Sequence, residues 1–160
     1  MIGIDLFPIF CTDYRERCPH GWLAFDEFCY LFVSKSNGRW EEFPQKCNKE
    51  NGLLAMPKTD GEVQFLQNKI VSLKHRTKNF YIGLRKKGGI WTWIDDVPYT
   101  RDVDVKDELG NKNCAALFEG SINMVSCREP KAGYICEIRK GNNMGFGSLS
   151  FCDNNNSDEF

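Results

Sequence analysis

The chain has 160 residues, with 21 Lys and Arg against 22 Asp and Glu and a formal net charge of −1. That length favours one domain around one core, and the near balance of charge argues against a nucleic-acid binder, which carries a basic excess on one face. Eight cysteines, two histidines and no C-x2-C pair exclude the common zinc modules and point to disulfides formed in an oxidising compartment.

Residues 1–17 read as a stalk or lead-in whose notable feature is Cys11. Its apolar start, MIGIDLFPIF, is broken by Asp5 and Pro8 and lacks the positive end of an export signal. A disulfide-rich chain without such a signal is expected to be part of a longer one that carries a leader or membrane anchor. No stretch here reaches the roughly 18 apolar residues of a spanning helix. From Cys18 the pattern changes. Trp22, Phe25, Phe28 and Tyr30 predict a two-stranded hairpin flanked by Cys18 and Cys29.

Residues 39–51, RWEEFPQKCNKEN, predict a first helix with Trp40, Phe43 and Cys47 at helical spacing and Gly52 as its stop. Pro44 moves its expected start to about Glu41. Leu53, Leu54 and Ala55 predict a short buried strand. Thr59 and Glu62 form a capping-box pattern that opens a second helix. Val63, Leu66, Ile70 and Leu73 give that helix one apolar face, and Lys74, His75 and Arg76 end it with the charge its dipole favours. His75 is thus a surface charge.

Residues 81–93, YIGLRKKGGIWTW, read as strand, basic turn and strand. Gly83 lets another backbone come close, and Lys86-Lys87-Gly88-Gly89 forms the turn. Trp91 and Trp93, two apart, face one side and bury roughly 150–250 Å² each, enough to centre a core. Residues 94–113 form a long irregular acidic loop, with Asp95, Asp96, Asp102, Asp104, Asp107 and Glu108. Strands are expected at 114–118, 123–127 and 134–138. The end, 141–160, is a polar, low-complexity and mobile tail bearing Cys152 and the sequon Asn155-Asn156-Ser157, with Asn155 as the glycan acceptor.

The order and spelling of these elements resemble the C-type lectin-like domain. CPHGW with CY at 18–30, Tyr81-Ile82-Gly83-Leu84, Trp91-Thr92-Trp93 with Ile94-Asp95-Asp96, and Tyr134-Ile135-Cys136 stand in the family's register over 18–140. The resemblance implies an α+β fold, two helices packed on two small antiparallel sheets with a long irregular loop. It also implies three bridges, Cys18–Cys29, Cys47–Cys136 and Cys114–Cys127. By the chain-entropy account the first is worth about 2–3 kcal/mol and the second about 4–5 kcal/mol. Cys11 and Cys152 are left over. They either bridge each other or leave Cys11 to link two chains.

Sugar-binding members of this family hold Ca2+ through an E-P-N or Q-P-D triplet in the long loop and a W-N-D triplet on a following strand. Here the loop has no proline triplet, Glu129-Pro130 follows Cys127, and the W-N-D position reads Ile122-Asn123-Met124. A thioether does not replace a carboxylate on a hard cation, so neither metal nor cofactor is expected. No thiolate, H-E-x-x-H, G-x-S-x-G or phosphate loop supports an enzyme.

What remains resembles natural-killer-cell lectin-like receptors and their lectin-like ligands. The resemblance implies a type II plasma-membrane protein, a homodimer or disulfide-linked dimer, whose extracellular domain docks on a cell-surface protein. A glycan-binding lectin and a secreted viral or venom-type relative are the alternatives. The expected contact residues are Tyr99, Arg101, Lys106, Glu108, Glu119, Ile122, Met124 and Arg128, with aromatic, Met and Arg types leading. Phe118 could join them but fits the core better. The basic turn Arg85-Lys86-Lys87 could steer an acidic partner or simply solubilise the hairpin.

Overall fold

The computed structural model describes residues 17–34, 36–73, 79–101, 110–118 and 121–141. The hairpin of β1 (Leu23–Phe25) and β2 (Phe28–Val33) turns at Asp26, whose φ is 49°. The first helix differs from its sequence reading. A 3-10 turn, Trp40–Glu42, leads into α1, Phe43–Lys49, with Pro44 in the first turn, where no N–H is needed. Its end is set by Asn51 at φ 58°, not by Gly52, whose N–H donates to the Cys47 carbonyl at 2.9 Å.

The strand β3 (Leu53–Leu54) is shorter than expected. Leu54 is buried while Leu53 is 48% exposed, because adjacent strand residues face opposite sides. Helix α2 (Asp60–Ser72) carries the full capping box. Thr59 Oγ1 accepts from the Glu62 N–H at 3.2 Å, and Glu62 Oε2 accepts from the Thr59 N–H at 2.8 Å. His75 lies outside the described residues.

β4 (Phe80–Lys87) and β5 (Ile90–Trp93) form the central hairpin. Strand pairing runs through Lys86 and Lys87, leaving Gly88 (φ 57°) and Gly89 (φ 86°) as a two-residue turn that needs positive φ twice. Gly83 is required by close approach. A Cβ there would lie 2.8 Å from the Leu54 carbonyl oxygen, and the Gly83 N–H donates to Ala55 at 2.7 Å.

β6 (Cys114–Phe118), β7 (Ser121–Val125) and β8 (Gly133–Arg139) complete the sheet. β7 begins two residues before its expected start, because Ser121 and Ile122 already pair with Phe118 and Leu117. The strands run β1-β2-β8-β4-β6-β7, with β3 on β8 and β5 on β4. Two antiparallel groups meet where β4 pairs parallel with β8, at Phe80–Gly133 and Tyr81–Tyr134.

Strand alternation builds two cores on opposite faces. Phe80, Ile82, Leu84 and Ile135 join Leu66 and Ile70 of α2. Tyr81, Tyr134 and Cys136 join Phe43 and Cys47 of α1. Among the described residues there are three disulfides: Cys18–Cys29 on the first hairpin, Cys47–Cys136 between α1 and β8, and Cys114–Cys127 between β6 and the segment after β7.

Candidate recognition surface

The acidic loop leaves β5 through a tight, well-bonded base. The Ile94 N–H donates to Gly83 at 2.8 Å, and the Trp93 N–H to Val97 at 2.9 Å. Asp96 takes φ 65° to make the bend. Both carboxylates of the turn are already engaged, Asp95 with Lys58 and Asp96 with Lys87 at 2.8 Å. That lysine holds the Asp96 carboxyl below the usual carboxylate range.

Tyr99 follows. Its N–H donates to Trp91 at 2.8 Å, and its ring meets Trp93 edge-on at 5.6 Å between centroids. Burial pushes its phenol up. Arg101 crosses to the start of α2, bonding the Asp60 carboxylate and, at 3.1 Å, the Lys58 carbonyl. Both side chains therefore fasten the loop base, and a partner would meet them only in part.

On β7, Ile122 and Met124 are half-buried against the same core as Tyr99. Asn123 between them is tied to Ser121: its Nδ2 donates to the Ser121 carbonyl at 3.2 Å. Arg128 is set apart. It follows Cys127, whose carbonyl accepts from the Trp40 N–H at 3.0 Å, so it belongs to the α1 side and does not join Tyr99. Phe118 is half-buried at the end of β6. Lys106, Glu108 and Glu119 lie outside the described residues, as do Cys11, Cys152 and Asn155.

The donors of β7 do not fit a calcium ion. It would require six to eight oxygens, several of them charged. The side chains of Ile122 and Met124 offer none, and Asn123 Oδ1 already accepts from the Ser121 hydroxyl at 3.4 Å. Among the described residues no group of three His, Cys, Asp or Glu is placed to hold a metal.

A buried polar cluster beneath the loop base escaped the sequence reading. Glu62, seen there only as a cap residue, is 6% exposed and also accepts from the Tyr30 hydroxyl at 3.0 Å and the Lys58 N–H at 3.1 Å. Glu137 on β8 is 5% exposed, and its Oε2 accepts from the Met56 N–H at 2.8 Å. Burial, reinforced by the nearby Glu62 charge, pushes its carboxyl up to about 7. Burial likewise drives the Tyr30 phenol far above its ordinary value. The one available signal was the alternation on β8, which points Glu137 to the same side as Ile135.

The model of the lectin C-type domain matches residues 36–138. The chain belongs to the C-type lectin domain family.

Among its relatives, asialoglycoprotein receptor 2 of Rattus norvegicus is 34% identical over 144 residues, covering 82% of this chain and 45% of the receptor. Killer cell lectin-like receptor subfamily G member 2 of Homo sapiens is 28% identical, covering 76% of this chain and 28% of that protein. The chain thus spans less than half the length of these curated relatives. Among solved structures, the Ca2+-independent C-type lectin SPL-2 from Saxidomus purpuratus superposes with a TM-score of 0.65 at 26% identity, covering 80% of this chain and 97% of that one. The C-type lectin domain is a recognition scaffold. Its cysteines among the described residues are all bridged.

Proposed function

We propose that this C-type lectin domain is the extracellular recognition module of a type II membrane immune receptor of the natural-killer lectin-like group, or of such a receptor's lectin-like ligand. It grips a cell-surface protein without calcium. The observation that carries this reading is β7. Where sugar-binding members of the family place W-N-D, this strand has Ile122, Asn123 and Met124, with the two apolar side chains packed on the core and the amide tied to Ser121. The kinship with a killer cell lectin-like receptor supports the same reading.

In this reading residues 1–17 are the stalk, 18–140 the domain and 141–160 the tail. Cys11 links two chains or bridges Cys152, and Asn155 carries a glycan. The partner meets the loop beyond Arg101, including Lys106 and Glu108, together with Glu119 and the exposed edges of Tyr99, Ile122 and Met124. Isothermal calorimetry tests the calcium half. The chain titrated with millimolar CaCl2 gives no saturable heat, and EDTA leaves its melting temperature unchanged. One equivalent of tight uptake refutes it.

A calcium-independent glycan binder is the second reading, favoured by the likeness to SPL-2, which is described as a Ca2+-independent lectin. A glycan array probed in EDTA separates the two.

A further inference from the structure

The chain contains two Asn-Gly pairs, Asn37-Gly38 and Asn51-Gly52. Such a pair carries its own chemistry. The glycine nitrogen can attack the asparagine amide carbon, because no Cβ stands in its way. The fold sets the two pairs in opposite conditions.

Asn51-Gly52 is locked into the end of α1. Asn51 holds φ 58°, and its N–H donates to the Asn48 carbonyl at 3.0 Å. The Gly52 N–H, which the attack must give up, donates to the Cys47 carbonyl at 2.9 Å. Gly52 is buried, and a Cβ built on it would lie 2.9 Å from the Glu137 carbonyl oxygen and 3.0 Å from the Trp22 ring. Cys47 is in turn bridged to Cys136. A ring can close there only after the helix end has opened.

Asn37-Gly38 lies in the coil between β2 and the 3-10 turn. That coil is tied at both ends. The Ser36 N–H donates to the Ala132 carbonyl at 3.2 Å, and the Trp40 N–H to the Cys127 carbonyl at 3.0 Å. Between those ties Asn37 is exposed, and neither its side chain nor the Gly38 N–H has a hydrogen-bond partner among the described residues. Lys46 stands beside the pair. Its Nζ donates to Ser36 Oγ at 3.3 Å and would lie 3.2 Å from a Cβ on Gly38, with the Glu42 carboxylate at 3.0 Å from the same point. An acid formed at position 37 therefore arises next to a cation.

We propose that Asn37 is a site of spontaneous deamidation in the folded protein, with water as the co-reactant, and that the fold protects Asn51. The Gly38 nitrogen bonds to Asn37 Cγ, the Cγ–Nδ2 bond breaks, and the amide group leaves as ammonia with the Gly38 proton. Water then opens the cyclic imide. Attack at Cγ gives aspartate. Attack at the main-chain carbonyl carbon gives isoaspartate, whose backbone runs through the side chain. Either product adds a negative charge. Isoaspartate also adds a main-chain carbon between the ties to Ala132 and Cys127, which hold the approach to α1 in place.

The test uses the whole chain with its bridges intact, kept in mildly alkaline buffer and sampled over days by peptide mapping with mass spectrometry. Aspartate and isoaspartate accumulate at position 37, and Asn51 lags by about tenfold or more, the cost of first breaking the hydrogen bond that closes its turn. Unfolding the chain in urea with its bridges reduced removes that difference, and both pairs then react at similar rates. Asn37→Gln, whose longer side chain has to close a larger ring, suppresses the folded-state product and leaves the melting temperature unchanged, because the side chain is exposed. Two results overturn the proposal: Asn51 reacting as fast as Asn37 in the folded chain, or Asn37 intact in the folded chain under conditions in which the unfolded chain reacts.

Discussion

Glu137 stands directly after Cys136 and looks like an ordinary charged strand residue, yet it is buried with one backbone N–H on its carboxylate. Burial raises its pKa from 4.5 to about 7. The folded state therefore holds a proton that the unfolded chain releases near 4.5. The stability this contributes is complete below that value and is lost as pH rises through about 7. The loss is on the order of 3 kcal/mol. Urea unfolding at pH 5, 6, 7 and 8 should show that decline in wild type and a flatter profile in Glu137→Gln, whose amide oxygen still accepts from Met56. Equal slopes would disprove the assignment. At this scale the sequence was legible where the backbone dictates the residue, as at Gly83 and Gly88-Gly89. It was opaque where burial depends on which distant segment lies opposite: nothing local says that Met56 and Glu62 face Glu137, 81 residues on in the case of Met56.

Among the elements, α2 was the most readable, because its cap and its apolar face are both local patterns. Thr59 Oγ1 meets both the Glu62 N–H and the Glu62 carboxylate. Thr59→Ala should cost about 1 kcal/mol and lower the melting temperature by a few degrees, whereas Thr59→Ser should restore most of it. A melting curve identical to wild type would mean the cap contributes nothing. The limits of α1 and β7 were less legible. Asn51 takes the left-handed conformation that was assigned to Gly52, since Asn tolerates it and the chain must turn one residue earlier to reach β3. β7 starts at Ser121 because its register follows β6, which no property of the strand's own sequence specifies. Tyr99 and Arg101, expected as contact residues, fasten the loop base. Arg101→Ala should therefore loosen the loop through loss of Asp60 and Lys58. Faster hydrogen exchange at the 94–101 amides checks this, and unchanged exchange would contradict it.

For the whole molecule, the bridge from Cys47 to Cys136 encloses a separation of 89 residues and joins α1 to β8. Replacing both cysteines by alanine should cost about 4–5 kcal/mol, against about 2–3 kcal/mol for Cys18 with Cys29, whose separation is 11 residues. Denaturant midpoints of the two double variants check that order, which equal or inverted midpoints would contradict. The fold was legible because motif order and cysteine positions act together over most of the chain. The partner was not, because the loop that would meet it obeys no periodicity and its specificity lies in surface detail. The account turns on calcium-free recognition of a protein. A fluorescent tetramer of this domain, applied to immune cells in EDTA, tests that most directly. The account predicts staining that persists in EDTA and disappears when the cells are trypsinised beforehand. Staining abolished by EDTA, or surviving trypsin, would contradict it.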